Sequence, residues 1–496
     1  MLADCLSKAL VLSSHPMKLM SVVPRIISSA IFISVAAVCV WTASAQNPDF
    51  DQVKSKAEQG DVKSQLLLGS MFYRGQGVLQ HYAEAAKWFR KAAEQGDTTA
   101  QKNLASLYYQ GQGVQQSDTE AANWFRKAAD QGDAQSQIEL GLMYVSGQGV
   151  RADAAQGAKL FRAAADKGHI LAQKNLGVLY LKGQGVTQDN AEAVKWFRKA
   201  AEQGEPQAQN ELGRMLVGGI GVPRDDAEAA RYFRKAADQG EPTAQKNLAV
   251  LYFVGQGVAA DDAEALKWFR KASDGGEVQS KYYLGLMYAR GRGVLKDSAE
   301  AVKHFRTAAE AGDMMAQNEL GWWYEKGEAV TADPAESVKW YRKSADQGYV
   351  VAQHNLGVLY ANGRGVTKDL AEALKWYKKA ADQGSAISQN ELGFMYDQGV
   401  GADKDPNQAL EWFRKAAEQG LDVAQQNAGI LLTKQRGEKP PDLVEAYKWF
   451  NLAAAQGNTN AIGNRDFVMK SLTAEQINEG QRRAAEFLSK KSPPAK

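Results

Sequence analysis

The stretch EAAKWFRKAAEQGDTTAQKNLASLYYQGQGV, Glu84 to Val114, decides the fold. It contains two apolar stripes of helical period. Ala85, Trp88, Phe89, Ala92 and Ala93 form one, and Ala100, Leu104, Leu107 and Tyr108 form the other. A glycine-containing break separates them, and the stretch ends in Gly111-Gln112-Gly113. Neither short helix can bury its stripe alone, so each needs neighbours of the same kind.

The sequence supplies them. EAVKWFRKAAEQGEPQAQNELGRMLVGGIGV starts at Glu192 and EALKWYKKAADQGSAISQNELGFMYDQGVGA at Glu372. The glycine closing each unit recurs every 36 residues from Gly60 through Gly96 and Gly132 to Gly420. The last, Gly457, comes one residue late, after an insertion near Lys439-Pro440-Pro441. Eleven units thus run from Asp61 to Gly457. The site of Ala100 holds only Ala or Ser, the site of Phe89 is aromatic, and the site of Leu104 is Leu except at Ala428. A volume constraint repeating at a fixed period is what stacking of like modules demands.

The Gly-x-Gly pair is punctuation in this repeat. A nucleotide-binding fingerprint follows a strand, opens a helix and occurs once. Here the pair follows a helix and recurs at Gly75, Gly147, Gly183 and onward. The first glycine is expected to end its helix in the left-handed region and the second to turn the loop. Asp333-Pro334 and Asp405-Pro406 place Pro at the first helical position behind an Asp cap. Asp with Glu three residues on, as in Asp189/Glu192, Asp261/Glu264 and Asp369/Glu372, reads as a capping box at the start of each second helix.

The pattern A-x-A-Q-x-N-L-G-x-x-Y-x-x-G-x-G-V, followed by a capped A-x-x-W-F/Y-x-K-A-A-x-Q-G, resembles the Sel-one-like repeat, a tetratricopeptide-type helix pair. The resemblance covers Asp61 to Gly457. It implies an all-α fold, an α/α solenoid whose eleven helix-turn-helix repeats wind into a superhelix with a concave surface. It also implies an adaptor or scaffold role in protein complexes. Some exported members carry a disulfide in each repeat and are linked to β-lactam binding. Here both cysteines, Cys5 and Cys39, fall in the leader, so a β-lactam-processing hydrolase is the least favoured role.

That leader is residues 1–45. Lys18 and Arg25 precede an apolar run from Ile26 to Trp41, and Ala43-Ser44-Ala45 offers a cleavage site before Gln46. It reads as a signal peptide for export to a bacterial periplasm or beyond, because the run is short for a membrane span. Counted from Met17 the leader has an ordinary length, which leaves residues 1–16 open as a true start. Residues 46–60 read as an N-terminal half-repeat cap. Residues 458–490 read as C-terminal capping helices, with a Thr473/Gln476 box and Ile477, Ala484, Ala485 and Leu488 on one face. Residues 491–496 read as a flexible tail.

The whole chain holds 60 Lys and Arg against 57 Asp and Glu, and loss of the leader brings it closer to balance. Nucleic acid finds no basic excess to bind. His81, His169, His304 and His354 lack metal-ligand spacing, and no nucleophile elbow occurs, so no catalytic residue, metal or cofactor is expected. Acids such as Glu94, Asp130 and Asp166 are expected to solvate a face or to pair with Arg90, Arg126 and Arg162 four residues earlier.

Candidate binding residues lie where the repeat varies. The sites of Lys102, Ser106 and Tyr109 are expected opposite the core stripe, and they become Tyr282, Trp322, Glu325 and His354 in units seven to nine. Nearby, His304 stands where Trp is usual and Ala329 where Gly is usual. These residues suit an anchor for a protein or peptide partner. The rival reading is a glycan or cell-wall module, with Tyr282 and Trp322 stacking on sugars.

Overall fold

The computed structural model describes residues 50–434 and 440–491. Residues 1–49, 435–439 and 492–496 lie outside the described residues, and with them the expected leader and most of the expected tail. Among the described residues there are 25 α-helices and no strand, and most helices are 13 residues long. The chain divides into two units, one ending at Gly276 and one beginning at Glu277. Each unit is a stack of helix pairs in which sequence neighbours pack together.

The repeat around Thr98–Gln110 and Asp118–Asp130 shows why these residues fold this way. Asp97 caps the first helix, its carboxylate accepting from the Ala100 amide at 2.7 Å. Gly111 ends it at φ 69°, ψ 29°, in the left-handed region, and its amide donates to the Leu107 carbonyl. The second glycine has a different job. A Cβ on Gly113 would lie 2.2 Å from the Tyr82 carbonyl carbon, so the loop touches the backbone where the preceding second helix, Tyr82–Glu94, begins. Only hydrogen fits there.

The expected core is buried. Phe89, Ala92, Ala93, Ala100 and Leu104 are at most 2% exposed. The residue after the Leu104 site is Gly or Ala throughout, for a steric reason visible at Gly69, Gly177 and Gly393. A Cβ on each would sit 2.5–3.0 Å from the ring of Phe89, Phe197 or Phe413.

Three local expectations are corrected. In the capping boxes, Asp261 accepts from the Glu264 amide at 2.9 Å as expected, but its own amide is already donated to the Tyr252 carbonyl. Glu264 therefore does not close the box. It accepts from the Trp268 indole at 2.9 Å and pairs with Lys267 at 2.7 Å. Only Thr473 and Gln476 form the reciprocal pair among the boxes singled out in the sequence, with bonds of 2.9 and 3.3 Å.

Of the two readings of the acids, the solvated face holds, since Glu94, Asp130 and Asp166 are exposed, while the arginines point elsewhere. Arg90, Arg162 and Arg342 donate to the hydroxyls of Tyr108, Tyr180 and Tyr360, and Arg126 reaches Tyr144 at 3.3 Å. Each bond ties a second helix to the first helix that follows it, a tie that a pairing within one helix could not provide.

The last helix, Ala474–Lys491, is rotated from its expected face. Ala484 is buried, but Ala485 is exposed and Leu488 is 53% exposed. Gly480 permits close approach to Tyr447, and Phe487 rather than Leu488 turns inward, edge-on to Trp449 at 5.5 Å. At the other end, Phe50–Glu58 buries Val53 and Ala57.

Candidate functional site

The first helices carry the candidate residues. Tyr282 lies on Gln279–Arg290, Trp322 and Glu325 on Met314–Lys326 and His354 on Val350–Asn362, all within the unit that begins at Glu277.

Tyr282 is not an open ring. It is 7% exposed, packed edge-on to Tyr283 at 5.2 Å and tilted against Phe305 at 6.0 Å. Burial pushes its hydroxyl pKa well above the ordinary range. Trp322 is half-buried and meets the ring of Trp323 edge-on at 5.3 Å.

Glu325 already has two partners. Its carboxylate pairs with Arg364 at 2.9 Å and accepts from the Tyr341 hydroxyl at 3.3 Å. His354 bonds through Nδ1 to the buried Ser388 hydroxyl of the next first helix at 3.0 Å, with its ring 5.5 Å from Tyr377. Burial lowers its pKa, which keeps the imidazole neutral at pH 7.

The sites of Lys102, Ser106 and Tyr109 therefore do not simply lie opposite the core. In the first unit, Lys102 pairs with Asp133, the cap of the next first helix, and Lys174 pairs with Glu205 in the same way, both at 3.2 Å. Lys246, Val250 and Phe253 at these three sites are 6%, 1% and 2% exposed. Neighbouring first helices thus touch through this column, and His354 with Ser388 is its neutral version. Asn355 continues the contact, donating to Asn318 at 3.1 Å.

His304 replaces Trp yet keeps its neighbourhood. Its Nε2 lies 3.4 Å from Glu300, and the ring stacks on Tyr288 at 5.5 Å. Ala329 is the one non-glycine residue among the described residues with positive φ, 57°. No group of three or more His, Cys, Asp or Glu among the described residues is placed to hold a metal ion. No helix among them is long and apolar enough to cross a membrane.

The surface also carries residues that sequence reasoning missed. Val351, Ile387 and Val423 occupy one site on successive first helices and are 47%, 55% and 45% exposed. Seven residues further along the same helices stand Val358, Phe394 and Ile430, with Phe394 52% exposed. The signal was available in the periodic comparison. The site of Ser106 is polar only at Ser70, Ser106 and Arg214; it is apolar at Leu142, Val178 and Val250 and without interruption from Leu286 through Trp322, Val358 and Phe394 to Ile430.

Comparison with known proteins agrees with this architecture. The Sel1 repeat family matches in eleven consecutive segments, from 62–97 and 98–133 through to 386–421 and 423–458. Among solved structures, a protective antigen of uropathogenic Escherichia coli strains, displaying an SLR fold, is 37% identical. The match covers 90% of this chain and 95% of that one, with a TM-score of 0.69. A Sel1 repeat protein from Oxalobacter formigenes is 39% identical over 61% of this chain and 89% of its own, with a TM-score of 0.50. Comparison with curated proteins returns no match. Eleven matched repeats in an all-helical stack place this chain in the Sel1 repeat family, with a solenoid fold.

Proposed function

We propose that the protein is an exported, non-catalytic scaffold that binds partner proteins across the surface formed by its first helices. Sel1 repeat proteins typically mediate protein–protein interaction, which sets the class. The observation that carries the reading further is the exposure of Val351, Ile387, Phe394 and Val423 on three successive first helices. Large apolar side chains left open side by side suit a partner surface. Tyr282, Trp322, Glu325 and His354 support that surface from below and from its edge, setting the spacing of the first helices rather than serving as separate anchors.

The glycan reading gains less support, because stacking on sugar needs an open aromatic face and neither Tyr282 nor Trp322 is fully exposed. A hydrolase would need a convergent nucleophile and base, for which no arrangement of the first-helix residues argues.

The test is retention of protein from envelope extract on the immobilised mature chain. The reading expects at least one protein to be retained by the wild type and lost with Phe394→Asp. Retention of none by a folded chain would reject it. For export, the N-terminus of the protein recovered from the envelope fraction should begin at Gln46; an intact leader on protein confined to the cytoplasm contradicts it.

A further inference from the structure

In the unit that ends at Gly276, the contact between neighbouring first helices is an ion pair. Lys102 meets Asp133, the cap of the next first helix, and Lys174 meets Glu205 in the same way, both at 3.2 Å. Beyond Glu277, His354 takes the lysine site and Ser385 takes the cap, accepting from the Ser388 amide. The basic group is kept and the acid is gone.

A relay of hydroxyls replaces the ion pair. Ser385 donates to the Ser388 hydroxyl at 3.0 Å, and Ser388 lies 3.0 Å from Nδ1 of His354. When the ring is neutral, Nδ1 accepts the Ser388 proton. A protonated ring turns Nδ1 into a donor, and the hydrogen of the fully buried Ser388 loses its acceptor. Protonation therefore leaves this joint with an unpaired charge and a stranded hydroxyl.

The helices packed around it supply no counter-charge. Their inward titratable groups are Tyr377 on Leu370–Asp382, whose ring lies 5.5 Å from that of His354, Tyr341 on Pro334–Asp346, Glu319 on Met314–Lys326 and Glu391 on Ala386–Gln398. Burial pushes the pKa of all four up, so the fall in pH that protonates His354 also neutralises both carboxyls. Glu325 is held by Arg364, and Arg342 bonds the Tyr360 hydroxyl. Burial is the cause of the lowered pKa of His354, and no neighbouring carboxylate offsets it.

An unfolded chain takes up this proton near the ordinary pKa of 6.5, whereas the folded joint resists it. The joint's contribution to stability is present above that value and is lost as pH falls through the lowered pKa of His354.

Resting on the scaffold reading above, we propose that the His354–Ser388 joint is an acid-operated release: as pH falls it loosens the two first helices that carry Val351, Ile387 and Phe394, and the bound partner is freed.

Amide hydrogen exchange of the mature protein reads the joint without any partner. Between about pH 7.5 and about pH 5, after correction for intrinsic exchange, Val350–Asn362 and Ala386–Gln398 should lose protection about tenfold for each pKa unit by which burial lowers His354. Thr98–Gln110 and Ala134–Ser146, joined by Lys102 and Asp133, should not lose it. His354→Gln should abolish the loss; glutamine already stands at this site as Gln426. Ser385→Asp should reverse it, because a carboxylate at the cap favours the protonated ring and still caps the helix. Unchanged wild-type protection, or an equal loss in either variant, would overturn the proposal.

Envelope protein held by the immobilised wild type at about pH 7.5 should elute at about pH 5 and stay on His354→Gln. Elution from both alike would overturn the release. A chain that holds nothing at either pH, while its exchange still follows His354, rejects the scaffold reading and the release with it, but not the acid-sensitive joint. Should exchange ignore pH while envelope protein is still held, this inference falls and the scaffold reading stands.

Discussion

The side-chain amide of Gln131 donates to the Oε1 of Gln101 at 2.8 Å, and Gln101 in turn donates to the Ala93 carbonyl at 3.1 Å. One second helix, the first helix before it and the second helix before that are thereby linked by two bonds, one part-buried and one buried. The link recurs as Gln95 to Gln65, Gln203 to Gln173 and Gln239 to Gln209 in the first unit. In the second unit it joins Gln347 to Gln317, Gln383 to Gln353, Gln419 to Gln389 and Gln456 to Gln425.

Breaking the link strands a buried amide. Gln131→Ala should cost about 1–3 kcal/mol, read as a lower urea midpoint. The chain also contains a natural gap. Lys167 stands at the Gln131 site, reaches the Gly132 carbonyl at 2.8 Å, and leaves the buried Oε1 of Gln137 without a hydrogen bond. Lys167→Gln should restore the link and stabilise the protein by about 1 kcal/mol.

Glycine substitutions should rank by what each glycine does. Gly111→Val should cost about 1–2 kcal/mol from left-handed strain. Gly113→Ala should cost more despite the smaller side chain, because its Cβ meets the Tyr82 backbone. Ala329→Gly should raise the melting temperature, since alanine there is held at φ 57°. An unchanged melting temperature for Ala329→Gly would remove the strain argument.

Stability should depend on pH through Glu139. Burial pushes its carboxyl pKa up to about 7, with the Gln135 side chain partly opposing the shift. The folded state therefore holds a proton that the unfolded chain releases near its ordinary pKa of 4.5. Between about pH 4.5 and 7 the unfolded state binds fewer protons, so stability falls as pH rises, by up to about 3 kcal/mol for this group. Glu139→Gln should flatten that part of the urea-midpoint profile and stabilise the protein at pH 8.

A single repeat should not stand alone. A peptide spanning Asp97 to Gly132 has two helices whose stripes are covered only by neighbours, so its circular dichroism should be mainly that of coil. A strongly helical monomeric spectrum would contradict mutual support as the source of stability.

Much of the fold was legible because the repeat itself is informative. Small residues at the Ala100 site and aromatic ones at the Phe89 site report close helix approach, and the structure buries both. Asp caps and left-handed glycines act locally, so spacing along the chain reveals them. What could not be read were bonds joining residues 18 or 30 positions apart, such as Arg126 to Tyr144 and Gln131 to Gln101. No local periodicity signals these. The same reason explains the candidate site. Tyr282 and His354 vary as surface residues do, yet neighbouring rings and the Ser388 hydroxyl hold them in the stack. Phe394 was recognisable only as a member of a column crossing several repeats.

The central claim is that the first helices, and not the second, meet the partner. A photoreactive amino acid placed at Phe394 and, separately, at Lys303, an exposed second-helix position whose side chain is 72% accessible, tests it in the source cell. The account predicts a discrete protein adduct from position 394 and none from 303. Equal adducts from both positions, or an adduct from 303 alone, would contradict it.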